Sequence, residues 1–80
     1  LFIQHLYTMK KIKKIKIKIN GKIVSVTQSY RLIELLKRHK IPLKKVAIEL
    51  NKEIIDKKKI SKIILKKNDK VEIVHFIGGG

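Results

Sequence analysis

The chain has 80 residues, of which 44% are hydrophobic, and its 21 basic and 6 acidic residues give a formal net charge of +15. This length suits one small domain, and the apolar content argues against disorder. The sequence contains no cysteine, which excludes disulfides, thiolate metal sites and cysteine nucleophiles. No apolar stretch approaches the roughly 20 residues of a membrane span, so we expect no membrane partner.

The positive charge is carried almost entirely by lysine, because Arg31 and Arg38 are the only arginines. Arginine is the residue that grips phosphates and base edges with two hydrogen bonds, and its scarcity argues against a nucleic-acid partner. We interpret the lysines as a solvated surface. The joint excess of lysine and isoleucine is typical of an AT-rich genome, which favours the cytoplasm or the plastid stroma as the compartment and makes an organelle genome a candidate source.

Residues 1–9 are set apart because the only methionine is Met9. We expect an N-terminal extension of uncertain status over residues 1–9, one folded domain over residues 10–77, and a flexible tail over residues 78–80.

A β-hairpin is predicted first. Ile15, Ile17 and Ile19 alternate with lysines, which is the period of a strand with one wet face. Asn20-Gly21 follows, and this dipeptide favours a type I′ turn because both central residues need a positive φ. A two-residue loop pairs Ile19 with Lys22, Ile17 with Val24 and Ile15 with Val26.

One amphipathic helix is predicted over residues 30–39, with Ser29 as its N-cap. Leu32, Leu35 and Leu36 form its core-facing stripe, with Ile33 at the margin. Lys37, Arg38 and His39 lie in its last turn, where positive charge suits the helix dipole.

Strands dominate the rest of the chain. Val46, Ile48 and Leu50 alternate as a third strand, Asn51-Lys52 forms a turn, and Ile54-Ile55 is a short apolar pair. One helical turn is predicted near residues 59–62, and a tight turn near Asn68, which tolerates the left-handed conformation. The last strand runs from Lys70 to about Phe76, with Val71 and Ile73 inward and Glu72, Val74 and Phe76 outward.

This order predicts an α+β fold with one main helix packed on a mixed sheet of four to five strands. No catalytic group is apparent. His5, His39 and His75 are scattered without neighbouring carboxylates, so we expect no metal site. The acidic residues show no paired arrangement for acid–base work.

The chain ends with Gly78-Gly79-Gly80 directly after the last strand. Glycine has no Cβ and makes a narrow, flexible segment, which suits presentation of the terminal carboxylate to another protein's active site. A frayed end is the alternative from the tail alone.

The element order and the double-glycine end are the β-grasp arrangement of ubiquitin-like proteins. Residues 46–55 and 65–80 closely resemble the sulfur carriers of thiamine thiazole synthesis, and the resemblance covers about residues 11–80. Asn68 and Lys52 stand where this family commonly has glycine, and the strong positive charge is atypical of it.

The resemblance implies that the chain is a co-substrate and not an enzyme. An adenylating, E1-like enzyme would use Mg-ATP to adenylate the Gly80 carboxylate, and a persulfide donor would convert it to a thiocarboxylate. Thiazole synthase would take the sulfur. ATP and Mg belong to the activating partner, and the chain itself would bind no cofactor. Gly79 and Gly78 would supply reach.

Partner recognition is expected from Val74 and Phe76 on the last strand and Ile77 at the root of the tail, since an exposed apolar patch beside the reactive end suits a transient partner. Alternatively, Phe76 and Ile77 fold over the sheet edge as core. Three other functions stay open: a carrier for molybdopterin, a carrier for tRNA thiolation, and a ubiquitin-like protein modifier.

Overall fold

The computed structural model describes residues 13–76, which form a mixed five-stranded sheet with one α-helix packed on it. The strands are β1 (Lys14–Ile19), β2 (Lys22–Thr27), β3 (Val46–Leu50), β4 (Glu53–Ile54) and β5 (Lys70–His75). Helix α1 spans Leu32–Arg38, and two 3-10 helices span Leu43–Lys45 and Lys57–Lys62. The sheet order is β2-β1-β5-β3-β4, in which only the β1–β5 pair is parallel. The predicted fold class is confirmed.

The first hairpin has the predicted register. Ile19 faces Lys22, Ile17 faces Val24 and Ile15 faces Val26. Asn20 and Gly21 have φ of 47° and 83°, the positive values that a type I′ turn requires. Because strand side chains alternate, this register places the isoleucines on the face toward α1 and the β1 lysines on the opposite face, which we call the outer face.

The core lies between the inner face of the sheet and α1. It is formed by apolar residues of β1, β2, β3, β5, α1 and the connecting segments: Ile17, Ile19, Val26, Leu32, Leu35, Leu36, Val46, Ile48, Ile60, Leu65, Val71 and Ile73. The predicted helix stripe and the inward positions of β5 are therefore confirmed. Ile33 is half-buried, as its marginal position predicts.

The predicted start of the helix is wrong. Ser29 has a φ of 70° and is not the N-cap, whereas Arg31 occupies that position in an extended conformation without a side-chain cap. The reason is tertiary pairing: Leu65 N–H donates to Tyr30 C=O at 2.8 Å, and Leu32 N–H donates to Ile63 C=O at 2.9 Å. This bridge holds Arg31 extended and satisfies the first helical N–H, so α1 starts two residues later than predicted.

The helix also ends one residue early. His39 is the C-cap, and Lys37 and Arg38 occupy the last turn as predicted. Lys40 has a φ of 55°, and the next N–H, from Ile41, donates to Leu36 C=O at 3.0 Å. A left-handed residue after the cap ends the helix by turning the chain back on its last carbonyls.

A second two-residue hairpin joins β3 and β4. Leu50 faces Glu53, and the turn residues Asn51 and Lys52 have φ of 51° and 71°. The predicted turn is confirmed, and the glycine-favouring position is occupied by a lysine in the left-handed conformation. Of the predicted apolar pair after it, Ile54 lies in β4 and is exposed, and Ile55 follows it half-buried.

The segment before β5 is a 3-10 helix longer than the single turn predicted. Its start is capped by Asp56, whose side chain accepts a hydrogen bond from Lys58 N–H at 2.9 Å. Asn68 has a φ of 70°, which confirms the left-handed turn. Within residues 13–76, no helix is long and apolar enough to cross a membrane. The predictions for residues 1–9 and for the tail lie outside the described residues.

Candidate functional site

The route to the carboxyl terminus is set by β5, which lies in the middle of the sheet between β1 and β3. Its last residue, His75, faces Val46 of β3. Phe76 N–H then donates to Lys45 C=O at 3.0 Å, so the chain is held in the sheet as far as Phe76. Four residues of the sequence, Ile77 to Gly80, follow this anchor. Ile77 and the three glycines lie outside the described residues.

Two asparagines hold the start of β5 from opposite sides. Asn20, in the first turn, donates its N–H to Val71 C=O at 2.9 Å and accepts Ile73 N–H on its side chain at 2.7 Å. Asn51, in the second turn, donates its N–H to Lys70 C=O at 2.8 Å and accepts Lys70 N–H on its side chain at 2.9 Å. The hairpin turns thus fix β5 as well as reversing the chain.

The side chains that were predicted for partner recognition are exposed at the end of β5. Val74 is 48% exposed and faces Ala47 of β3 on the outer face. Phe76 is 55% exposed, so the alternative that this residue folds into the core is wrong. The structure brings Val74 and Phe76 together at the root of the tail, and it leaves Ile77 undescribed.

Sequence reasoning missed one contact of Phe76. The ammonium nitrogen of Lys57 lies 5.4 Å from the centroid of its ring, within the range of a cation–π interaction. Lys57 opens the second 3-10 helix and precedes Phe76 by 19 positions. No local pattern marks this pair, because only the tertiary fold brings these two distant residues together. Sequence reasoning also missed Ala47 as the neighbour of Val74, although the alternation of β3 places Ala47 on the outer face.

The outer face near this patch has mixed charge. Glu49 of β3 and Glu72 of β5 face each other directly, next to the Ala47–Val74 pair. The β1 lysines lie further across the sheet on the same face. Among residues 13–76, no three histidine or acidic side chains come together in a group that could hold a metal ion.

The position of Phe76 at the end of β5 suits presentation of the following residues to another protein. In an extended conformation three glycines would span about 10 Å, which is enough to carry a terminal carboxylate from the end of β5 into a buried site of another protein. Their backbone groups can also pair with a partner strand.

Comparisons with known proteins agree with this geometry. A model of the ThiS family matches residues 17–80. The sulfur carrier protein ThiS of Bacillus subtilis is 40% identical over 65 residues, which cover 80% of this chain and 98% of that protein. A thiazole synthase of Magnetococcus marinus is 35% identical over 65 residues, which make up 81% of this chain and 20% of the synthase. A crystal structure of the thiamine biosynthesis protein ThiS from Geobacter metallireducens matches with a TM-score of 0.72 and 32% identity, covering 82% of this chain and 100% of that chain.

Proposed function

The chain belongs to the ThiS family, and on that premise we propose that its Gly80 carboxylate is the group that carries sulfur. Membership makes the chain a sulfur carrier of thiamine biosynthesis. The observation that supports Gly80 most directly is the extent of the family match, which runs through residue 80 and so includes all three terminal glycines.

The proposed reaction takes place in partner enzymes. An adenylating enzyme uses Mg-ATP, the carboxylate attacks the α-phosphorus, and pyrophosphate leaves. The terminal sulfur of a partner persulfide then attacks the acyl carbon and AMP leaves. A thiol then attacks the donor's sulfur atom in the resulting acyl disulfide and forms a disulfide with the donor, and the S–S bond to the chain breaks, so that the chain keeps one sulfur as a thiocarboxylate. In this scheme the chain is a co-substrate, which contributes recognition and reach.

Thiazole synthase is the proposed acceptor of the sulfur. The support is that a segment similar to this chain makes up 20% of a protein named thiazole synthase, so a segment of this kind occurs in the same polypeptide as a thiazole synthase. This observation favours thiazole formation over molybdopterin synthesis and tRNA thiolation. The compartment, cytoplasm or plastid stroma, remains a prediction from composition.

The partner surface is proposed to consist of Val74, Phe76 and Ile77. Val74 and Phe76 are about half exposed although they are large and apolar, and they lie where the chain leaves the sheet. A partner that binds the tail must approach this patch. Its burial would add apolar contact to the backbone contacts of the tail.

The test is intact-mass analysis after incubation with an active adenylating enzyme, ATP and a persulfide donor. We expect exchange of one terminal oxygen for sulfur. Chains that lack Gly80, or that carry an extra residue after it, should keep their mass. An unchanged chain ending at Gly80, beside a B. subtilis ThiS control that is converted by the same enzyme preparation, would contradict the proposal. Conjugates to lysine side chains in a lysate would instead favour a protein modifier.

A further inference from the structure

The outer edge of β2 is a long strand edge that residues 13–76 leave unpaired. At the other side of the sheet, β4 has two residues, whereas β2 has six. Gln28 N–H donates to Lys13 C=O at 2.9 Å. By the antiparallel alternation, the N–H groups of Ile23, Ser25 and Thr27 therefore point away from β1. Three backbone donors face outward in a row.

This edge lacks the features that usually protect an edge strand. In natural sheets, charged side chains, proline or bulges usually prevent such edges from pairing with other strands. In β2 the only charged residue is Lys22 at its first position, there is no proline, and pairing with β1 is regular through all six residues. The neighbouring strand β1 carries three lysines, so the lack of charge is specific to β2. Among the described residues, no strand pairs with this edge, which leaves it open to pairing with another strand.

The side chains beside this edge combine apolar and basic character. Ile23 is 65% exposed and faces Lys18 across the β1–β2 pair. A cavity of about 280 Å³ adjoins them on the outer face. Its lining contains three lysines and no carboxylate: Lys16, Ile17, Lys18, Ile23, Asn68 and Lys70. Any segment that pairs with β2 has this apolar and basic surface beside it.

We propose that the edge of β2 binds an extended segment of a partner protein in which apolar and acidic side chains are both present. The backbone of the segment pairs with Ile23, Ser25 and Thr27, as in strand addition to a sheet edge. Apolar side chains contact Ile23, and carboxylates face Lys16 and Lys18. Charge complementarity selects this occupant over a second copy of the chain, because each copy carries a net charge of +15.

This site goes beyond sulfur transfer. It lies at the β2 edge of the sheet, and β1 separates it from the strand that leads to the tail. The proposal and the sulfur-carrier function can therefore fail independently. Binding at β2 is measured on the chain alone, without an adenylating enzyme.

The test is an amide NMR titration of the chain with a synthetic ten-residue peptide that has threonine at odd positions and, at even positions, valine and glutamate in turn, so that one strand face carries both apolar and acidic side chains. The matched control peptide has lysine in place of glutamate. We expect shift changes centred on Ile23, Ser25 and Thr27, slower hydrogen exchange of these amides, and at least tenfold tighter binding of the glutamate peptide. Shifts centred on β4 or Val74, equal binding of both peptides, or no binding would overturn the proposal.

Charge variants separate local recognition from the overall charge of the chain. The double variant Lys16→Glu/Lys18→Glu should weaken binding of the glutamate peptide at least tenfold. The control Lys58→Glu/Lys59→Glu changes two exposed lysines of the second 3-10 helix by the same charge and should weaken binding less than twofold. Equal losses in both variants would show unspecific attraction and overturn the proposal.

Backbone pairing is tested by Ser25→Pro, which removes an outward N–H without breaking a bond to β1. Binding should be lost. If this variant fails to fold, Ile23→Ser serves instead, because it removes the apolar contact at an exposed position without adding charge, and it should weaken binding at least tenfold. Two further outcomes would also overturn the proposal. If the β2 amides are protected without peptide, and this protection rises with chain concentration, the edge binds a second copy of the chain. If protection without peptide disappears in a chain that starts at Met9, the edge binds residues 1–9.

Discussion

Asn20 and Ile73 are joined by a 2.7 Å hydrogen bond from the Ile73 N–H to the Asn20 side-chain oxygen, although 53 positions separate them in the sequence. The bond is partly buried. It lies just beyond the last parallel pair of β1 and β5, Ile19 with Val71. The side chain therefore extends the hydrogen bonding of the sheet where the main chain of β1 turns away.

Replacing Asn20 by glycine should show how much this hydrogen bond contributes to the unfolding free energy. Asn20→Gly keeps the positive φ but leaves Ile73 N–H without its acceptor, so we expect a loss of about 1–2 kcal/mol of unfolding free energy. The measurement is urea denaturation, together with faster exchange of the Ile73 amide.

The matched control for this prediction is Asn68→Gly. Asn68 has a φ of 70°, and its side chain makes no hydrogen bond within residues 13–76. Glycine relieves the left-handed strain there and should leave stability unchanged or raise it slightly. Equal losses in the two variants would mean that the effect comes from glycine entropy and not from the Ile73 bond.

Lys52 should be the residue whose replacement by glycine stabilises the chain. Its φ of 71° lies in the left-handed region, which costs a non-glycine residue about 1–2 kcal/mol. Glycine removes this cost, but it also stabilises the unfolded chain by about 0.4–1 kcal/mol, because glycine gives that chain more conformational entropy. We expect Lys52→Gly to add about 0.5–1 kcal/mol in urea denaturation. Lys22→Gly, within strand β2 beside the other turn, should lose stability instead. A destabilised Lys52→Gly chain would contradict the assigned turn.

Salt should stabilise the fold. The chain carries a net charge of +15, and residues 13–76 contain one ion pair, Arg31–Glu34 at 2.9 Å, which is exposed and therefore contributes little. Raising NaCl from about 10 to 150 mM shortens the screening length from about 30 to 8 Å and weakens lysine–lysine repulsion. We expect an increase of about 1 kcal/mol, or about 4–8 °C in Tm. A Tm that falls with NaCl would show that attractive pairs dominate.

Phe76→Asp should weaken binding to the adenylating enzyme at least tenfold while the domain stays folded. The ring is 55% exposed, so its loss should change unfolding free energy by about 1 kcal/mol or less, mainly through the contact with Lys57. The measurement is Kd by calorimetry, with circular dichroism for the fold.

Ile54→Asp is the control for that prediction. Ile54 is also large, apolar and exposed, at 74%, but it lies in β4 at the edge of the sheet and not at the root of the tail. Binding should change less than twofold. Comparable losses in both variants, or an unfolded Phe76→Asp chain, would argue against the proposed partner surface.

Patterns between neighbouring residues were sufficient for most of the fold. The isoleucine–lysine alternation of β1 and the Asn20-Gly21 turn set the hairpin register, because strand period and turn geometry are local properties. The same holds for the leucine stripe of α1. The helix start could not be read in this way. Tyr30 and Leu32 bond to residues 63–65, and this distant bridge outweighs the capping preference of Ser29.

The sequence by itself determined the strands, the turns, the fold class and the glycine end, since each depends on side-chain period, backbone preference or chain order. Only the tertiary structure decided which groups meet across the sheet. It placed the Asn20 side chain against Ile73, set the Lys57 ammonium over the Phe76 ring, exposed that ring and left the outer edge of β2 unpaired among residues 13–76. These features join segments far apart in the chain, and their positions follow from the packing of the whole domain.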